Sequence, residues 1–269
     1  MKNLISLYKR HISWRPSFYR KSWKIYKYLE NHKEYLQNNH NYYQFREGMN
    51  FSFNERKSAN HIFSEIFIGE CYPINKSTKQ EKVIIDIGAN IGFFTIYALI
   101  KNPNSQIYAV EANPKNFEIL KKNINENNLS DNVKVFNYVV TSESGFQPFY
   151  LSSNSGWSSI YNDRGAKNGK MIQVDSTSLS ILFEKCKLNA IDLLKIDIEG
   201  AEYDILLNDN FLENYKVKEL FVEVDKTPRD KRYKYHQIIN LLKKHYQSIK
   251  VIGHESEYPL ILCKDYIIR

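Results

Sequence analysis

From residue 83 to the C-terminus, short apolar runs alternate with amphipathic stretches, and this alternation narrows the fold more than any other feature of the chain. The strand-length runs are 83–87 (VIIDI), 106–111 (QIYAVE), 133–140 (VKVFNYVV), 191–198 (IDLLKIDI), 219–225 (ELFVEVD), 248–252 (SIKVI) and 259–263 (PLILC). Helical spacing falls at 91–101, 114–127, 201–212 and 231–246. Strands apolar on both faces and separated by helices require a parallel sheet covered on both sides, because neither face can be left in water. The last two strands are joined by only a short loop, which predicts an antiparallel hairpin at one edge. The fold class is therefore α/β, built on a mostly parallel sheet of these strands.

The rhythm breaks at 141–180, where GFQPFYLSSNSGWSSIYNDRG is polar, aromatic and Gly-containing. It reads as an inserted hairpin or loop, the kind of segment that shapes a substrate site near strand ends. Upstream, residues 1–40 read as helical. YYQFREGMNFSF (42–53) signals a hairpin around Glu47-Gly48. NHIFSEIFIGECY (60–72) has helical spacing and ends near Gly69, and the polar INKSTKQEK leads into the main domain. The expected division is a basic-aromatic extension, 1–80, and a ligand-binding domain, 81–269.

Composition supports a folded core: 42% of the 269 residues are hydrophobic. Cys71, Cys186 and Cys263 form no CxxC pair, so neither a disulfide framework nor a zinc site is expected. No apolar stretch reaches the roughly 18 residues of a membrane span. The first residues lack the apolar core of a signal peptide, so a cytoplasmic location is expected. The net charge of +8 is uneven: residues 1–29 carry eight Lys or Arg and no acid, interleaved with Tyr8, Trp14, Phe18, Tyr19, Trp23, Tyr26 and Tyr28. Such a segment can meet the anionic inner face of a membrane. It can equally be a solvated basic helix whose aromatics pack on the main domain.

VIIDIGANIGFFT places a strand directly before Gly88-Ala89-Asn90-Ile91-Gly92 and a helix. Ligands of open parallel sheets bind beyond the carboxyl ends of the strands, and Gly lets backbone come close to them. A dinucleotide fingerprint starting at Gly88 would need glycines where Asn90 and Phe93 stand, and no P-loop is present. What remains is an acid near the end of the first strand, Asp86, and one closing the second, Glu111. That pair suits a nucleoside with a cationic amino-acid part: Glu111 accepting ribose hydroxyls, Asp86 facing an ammonium directly or through water. Asn113 and Pro114 mark the start of the second helix.

DIGANIGFFT, VEANP and KIDIEGAE together resemble the FkbM family of S-adenosylmethionine-dependent methyltransferases. The resemblance covers about residues 83–225, with weaker similarity at 42–53 and 60–70. It implies the seven-stranded methyltransferase sheet, order 3-2-1-4-5-7-6, and methylation of hydroxyls on sugars and other small metabolites. It further implies that Asp86, Gly88, Ala89, Asn90, Gly92, Glu111 and Asn113 hold S-adenosylmethionine, that Thr95 reaches its carboxylate, and that Val140, Thr141 and Ser142, closing the third strand, lie near the adenine. The family often shows a Leu-Asp pair after the insertion. Here Leu179-Ser180 stands instead, which bears on helix capping more than on chemistry.

Methyl transfer to a hydroxyl needs an aligned acceptor, and a positioned base adds roughly 10² to 10⁴ in rate. The fourth strand ends in candidates. Asp197, its penultimate residue, is the first choice. Glu199 would share its face in extended chain, unless Gly200 turns the chain. Glu202 fits the first turn of the next helix, where an acid is favoured. Lys195 shares the strand and face parity of Asp197 and could pair with one of the acids, which would make orientation of the hydroxyl as plausible a role as proton abstraction. Asp197, Glu199 and Glu223 or Asp225 could instead hold Mg²⁺, although their spacing does not demand a metal. His61 and His254 are further candidate bases. The expected acceptor is a hydroxyl-bearing metabolite or cell-envelope glycan. A non-catalytic cofactor-binding partner in glycan assembly is the alternative. A nucleic-acid methyltransferase is disfavoured, because DIEG stands where base-amino methylation expects [DNS]-P-P-[YF].

Overall fold

The computed structural model describes residues 24–37, 40–79, 81–152, 157–163 and 169–267. Of the basic-aromatic segment 1–29, only 24–29 fall within this set. The described residues fall into two compact units, one up to Pro73 and one from Ile74 onward.

In the first unit, residues 24–28 and α1 (His32–Leu36) are helical and precede a hairpin of β1 (Tyr42–Gln44) and β2 (Asn50–Ser52). Gly48 takes φ +84 in its turn. Helix α2 (Arg56–Phe63) runs into a π-helical turn, Ser64–Ile68, just before Gly69. The unit's centre is aromatic. Phe63 stacks on Tyr43 and Phe67, each at 4.9 Å, and Tyr28, Phe45 and Phe51 are buried there too. Abundant Tyr and Phe thus supply a core that so few residues could not otherwise build. Tyr28 joins this core while Tyr26 is exposed.

The second unit carries the sheet. Its strands are β3 (Val83–Ile87), β4 (Gln106–Val110), β5 (Val133–Phe136), β9 (Ala190–Ile196), β10 (Lys216–Glu223), β11 (Tyr246–Ile252) and β12 (Leu260–Tyr266). Their order, β5-β4-β3-β9-β10-β12-β11, is 3-2-1-4-5-7-6 when the seven are counted along the chain. The pairs from β5 to β10 are parallel, and β12 runs antiparallel to both β10 and β11. Helices α3 (Phe93–Lys101), α4 (Pro114–Glu126), α5 (Leu179–Lys185), α6 (Glu202–Asn208), α7 (Phe211–Asn214) and α8 (Tyr235–His245) alternate with the strands. The core packs fully buried Ile85, Ile87, Leu194, Ile196 and Val222 against Leu179, Phe183, Ile205 and Phe211.

Two of the strand ends that differ from expectation bear on the site. The third strand stops at Phe136, because Asn137 donates its side-chain amide to the Glu111 and Ala112 carbonyls and turns the chain. Val139–Val140 then form β6, which joins β7 (Gly145–Leu151) and β8 (Lys170–Thr177) in a separate three-stranded sheet. The fourth strand stops at Ile196, so Asp197 follows the strand instead of lying within it. The insertion is the antiparallel β7–β8 hairpin, and its returning segment bridges Ser159 to Tyr150. The Leu-Ser departure is absorbed locally. Ser178 caps α5 by accepting from the Ile181 amide, and Ser180 binds Asp209 through both its amide and its hydroxyl.

Candidate active site

The parallel register sets Asp86 of β3 directly beside Lys195 of β9. Neighbours in register share a face, so one buried carboxylate and one buried ammonium meet, 3.3 Å apart. Asp86 is fully buried and also accepts from Thr95 Oγ1 at 2.8 Å. Lys195 Nζ donates to the Gly88 carbonyl at 2.9 Å and reaches Asp197 Oδ2 at 3.4 Å. Burial pushes the lysine pKa down, but the two facing carboxylates outweigh burial and hold it above the ordinary lysine value. The ammonium therefore stays charged and joins strand, glycine loop and Asp197.

This geometry bears on two expectations. Asp86 does not stand open to a ligand, being enclosed by Thr95 and Lys195. Thr95 is itself buried and spends its proton on Asp86, so it is not free to reach a cofactor carboxylate.

The loop after β3 is fixed by backbone. The amides of Gly88 and Ala89 both donate to the Val110 carbonyl, and Gly92 donates to Ala89. Gly88, Asn90 and Gly92 all take positive φ. At Gly88 a Cβ would lie 1.8 Å from the Asp197 carbonyl oxygen, so the loop touches the turn after β9 through backbone alone. Glu111 closes this corner: its oxygens accept the Asn90 and Asn113 amides, each at 2.8 Å. Asn113 caps α4 by accepting from Lys115 and donates weakly to Ser158.

Val140, Thr141 and Ser142 are placed otherwise than expected. They follow β5's end by several residues. Thr141 bonds the backbone of Thr177 and Glu143, and Ser142 gives both amide and hydroxyl to Asp204 of α6. The positions that close β5 are Asn137 and Tyr138. The sequence signal for this was the polar Asn137 inside VKVFNYVV, which interrupts an otherwise strand-like run.

Asp197 and Glu199 diverge. Glu199 sits at φ +60 and Gly200 at +117, so the backbone is not extended here. A left-handed non-glycine residue costs on the order of 1 kcal/mol and is a mark of functional turns. Asp197 turns to Lys195, whereas Glu199 turns to Arg229 at 3.8 Å. Both line one small, partly enclosed pocket with Gly200, Glu202, Glu223, Asp225, Arg229 and Tyr258, at the carboxyl ends of β9 and β10. Glu202 does open α6, but it is also buried, and its Oε1 accepts the Ile198 and Gly200 amides, each at 3.1 Å. Arg229 and its partner Ser159 were not singled out from sequence; an Arg within the charged run DKTPRDKR carries no local signal. His254 is exposed and His61 pairs with Glu65. Among the described residues, no three His, Cys, Asp or Glu side chains converge on a cation position. No helix among them is long and apolar enough to cross a membrane.

Desolvation raises both buried glutamates, Glu111 and Glu202, from 4.5 to about 7. A raised carboxyl keeps its proton in the folded state after the unfolded chain has released it. Its contribution to stability is therefore complete below about pH 4.5 and is lost as pH climbs to about 7. Glu202→Gln should make the fall in unfolding free energy across that window shallower, as measured by urea denaturation. Superimposable pH profiles would mean that Glu202 is not protonated in the fold.

A Methyltransferase FkbM domain profile matches residues 86–248. The chain belongs to the FkbM methyltransferase family. It is 30% identical over 176 residues to methyltransferase sdnD of Sordaria araneosa, covering 55% of this chain and 68% of that protein. It is 26% identical over 193 residues to the 31-O-demethyl-FK506 methyltransferase FkbM of Streptomyces tacrolimicus, covering 62% and 74%. It is 25% identical over 142 residues to the 2-O-methyltransferase NoeI of Sinorhizobium fredii, covering 48% of this chain and 57% of NoeI. As an FkbM protein with the class I sheet order, the chain is an S-adenosylmethionine-dependent methyltransferase.

The residues present fit that cofactor. The Gly88–Gly92 loop follows β3 at the carboxyl edge of the sheet, and the buried Glu111 carboxylate after β4 has acceptor capacity beyond its two backbone bonds.

Proposed function

We propose that this chain methylates a hydroxyl group, of a sugar in a cell-envelope glycan or of a small metabolite, and that Asp197 handles that hydroxyl. The observation that carries the reading is the position of Asp197. It is a part-exposed carboxylate lining that small pocket, and Lys195 fixes its orientation from behind. Two of the relatives carry O-methylation in their names.

S-adenosylmethionine supplies an electrophilic methyl group on a sulfonium. The protein's share is alignment and proton handling. Glu111 would hold the nucleoside end, with the Gly88–Gly92 backbone, whose own amides are spent on Val110, Glu111, Asn90 and Ala89, lining the site beside it. Asp197 accepts a hydrogen bond from the acceptor hydroxyl and takes its proton as the oxygen loses electron density. The charged Lys195 beside it keeps the carboxylate in place. The hydroxyl- and aromatic-rich 157–163 segment suits sugar contacts by hydrogen bonding and stacking. The aromatic-basic residues 1–29 suit peripheral contact with an anionic membrane surface.

The test is transfer of labelled methyl to whole-cell glycan and metabolite extracts. Asp197→Asn should lose roughly 10² to 10⁴ in turnover, while calorimetry shows cofactor binding retained. Unchanged turnover would remove Asp197 from the mechanism. Label found on nitrogen or carbon would overturn the hydroxyl reading.

A further inference from the structure

We propose that Arg229 is a positioning residue of the acceptor pocket, clamping the insertion onto the turn that carries Asp197 and Glu199. This rests on reading that pocket as the acceptor site.

Three segments distant in sequence meet at this side chain. From the insertion, Ser159 Oγ accepts from Arg229 Nη1 at 2.7 Å, and Asp163 Oδ1 lies 3.1 Å from the same nitrogen. The Tyr161 ring lies 5.7 Å from the guanidinium carbon. From the turn after β9, Glu199 Oε2 lies 3.8 Å from Nη2. Gly200 is packed so closely that a Cβ there would come within 3.0 Å of Arg229 Cδ. Ser159 completes the junction. Its hydroxyl donates its one proton to the Glu199 carbonyl at 2.8 Å and accepts from Arg229 and from the Tyr161 amide.

Only a planar fork with several donors can serve Ser159, Asp163 and Glu199 at once; a lysine ammonium is a point charge on a flexible stem. The side chain is 6% exposed, and its Nε–H meets no acceptor among the described residues. An unmet buried donor costs about 1–3 kcal/mol, which argues against a role in stability alone. Arg229 thus sets how far the insertion's hydroxyl and aromatic groups stand from Asp197, and so how an acceptor is aimed.

The test combines hydrogen exchange with kinetics on the full chain. In Arg229→Ala, exchange at the Ser159 and Tyr161 amides should quicken roughly tenfold or more, with protection in β3 and β9 unchanged. Arg229→Lys should show the same loss. With the glycan extract that the wild type labels, apparent KM for the extract should rise roughly tenfold with cofactor affinity unaltered. Millimolar guanidinium should restore Arg229→Ala. Wild-type exchange at Ser159 and Tyr161 in both variants would overturn the clamp, as would protection lost equally across β3 and β9. A wild type that binds cofactor but labels no extract would count against the hydroxyl reading instead, and the exchange result would still decide the clamp.

Discussion

Gly88→Ala is expected to lower the unfolding free energy by roughly 4 kcal/mol or more and to abolish cofactor binding. Two costs combine. At φ +78 an alanine is strained by about 1–3 kcal/mol. Its methyl would also lie 1.8 Å from the Asp197 carbonyl oxygen, a backbone atom that can retreat only if β9 and the turn after it move. Gly145→Ala separates the two, since Gly145 also has positive φ, at +140, but open space around it. Urea unfolding of both variants is the measurement. Equal losses would show that the overlap relaxes cheaply and that the two loops are not rigidly joined.

Lys195→Met should cost about 3–5 kcal/mol, the usual penalty for removing one partner of a buried ion pair. Methionine fills similar space, so the loss reports charge and not volume. Asp86 would keep only Thr95, and the Gly88 carbonyl would lose its donor. Adding Asp86→Asn should recover a large part of that loss, because the uncompensated buried charge is gone, and the double-mutant cycle gives the coupling directly. Chemical denaturation of the four proteins measures it. Additive losses would mean that the two groups do not interact through the fold. The same variant should also weaken turnover, since Asp197 would lose its fixed neighbour.

Much of this site was legible in one dimension. The start of α4 could be read from Asn113-Pro114, because capping depends only on adjacent backbone and the fixed φ of proline. The parity of Lys195 allowed a pairing with one of the acids, and the structure sets its ammonium 3.4 Å from Asp197. Other positions were misread for identifiable reasons. VKVFNYVV has the composition of one strand, but the Asn137 side chain bonds the Glu111 and Ala112 carbonyls and ends it early. Thr95 stood in the right helical turn for a ligand, yet a buried Asp86 claims its proton first. Glu202 does open its helix as the sequence suggests; that its carboxylate is buried and braces the turn before it could not be read in one dimension.

The sequence by itself determined the alternation of strands and helices, the parallel sheet with its antiparallel edge, and the glycine loop at the end of β3. Those follow from periodicity, backbone freedom and capping, which act over a few residues. The tertiary structure alone decided that Asp86 and Lys195 neutralise each other, that Gly88 rests on the carbonyl of Asp197, and that Arg229 joins the insertion to Glu199. Each depends on which strands become neighbours and in what register. Burial then makes those contacts count, because a charge or donor removed from water must find its partner wherever the folded chain brings one.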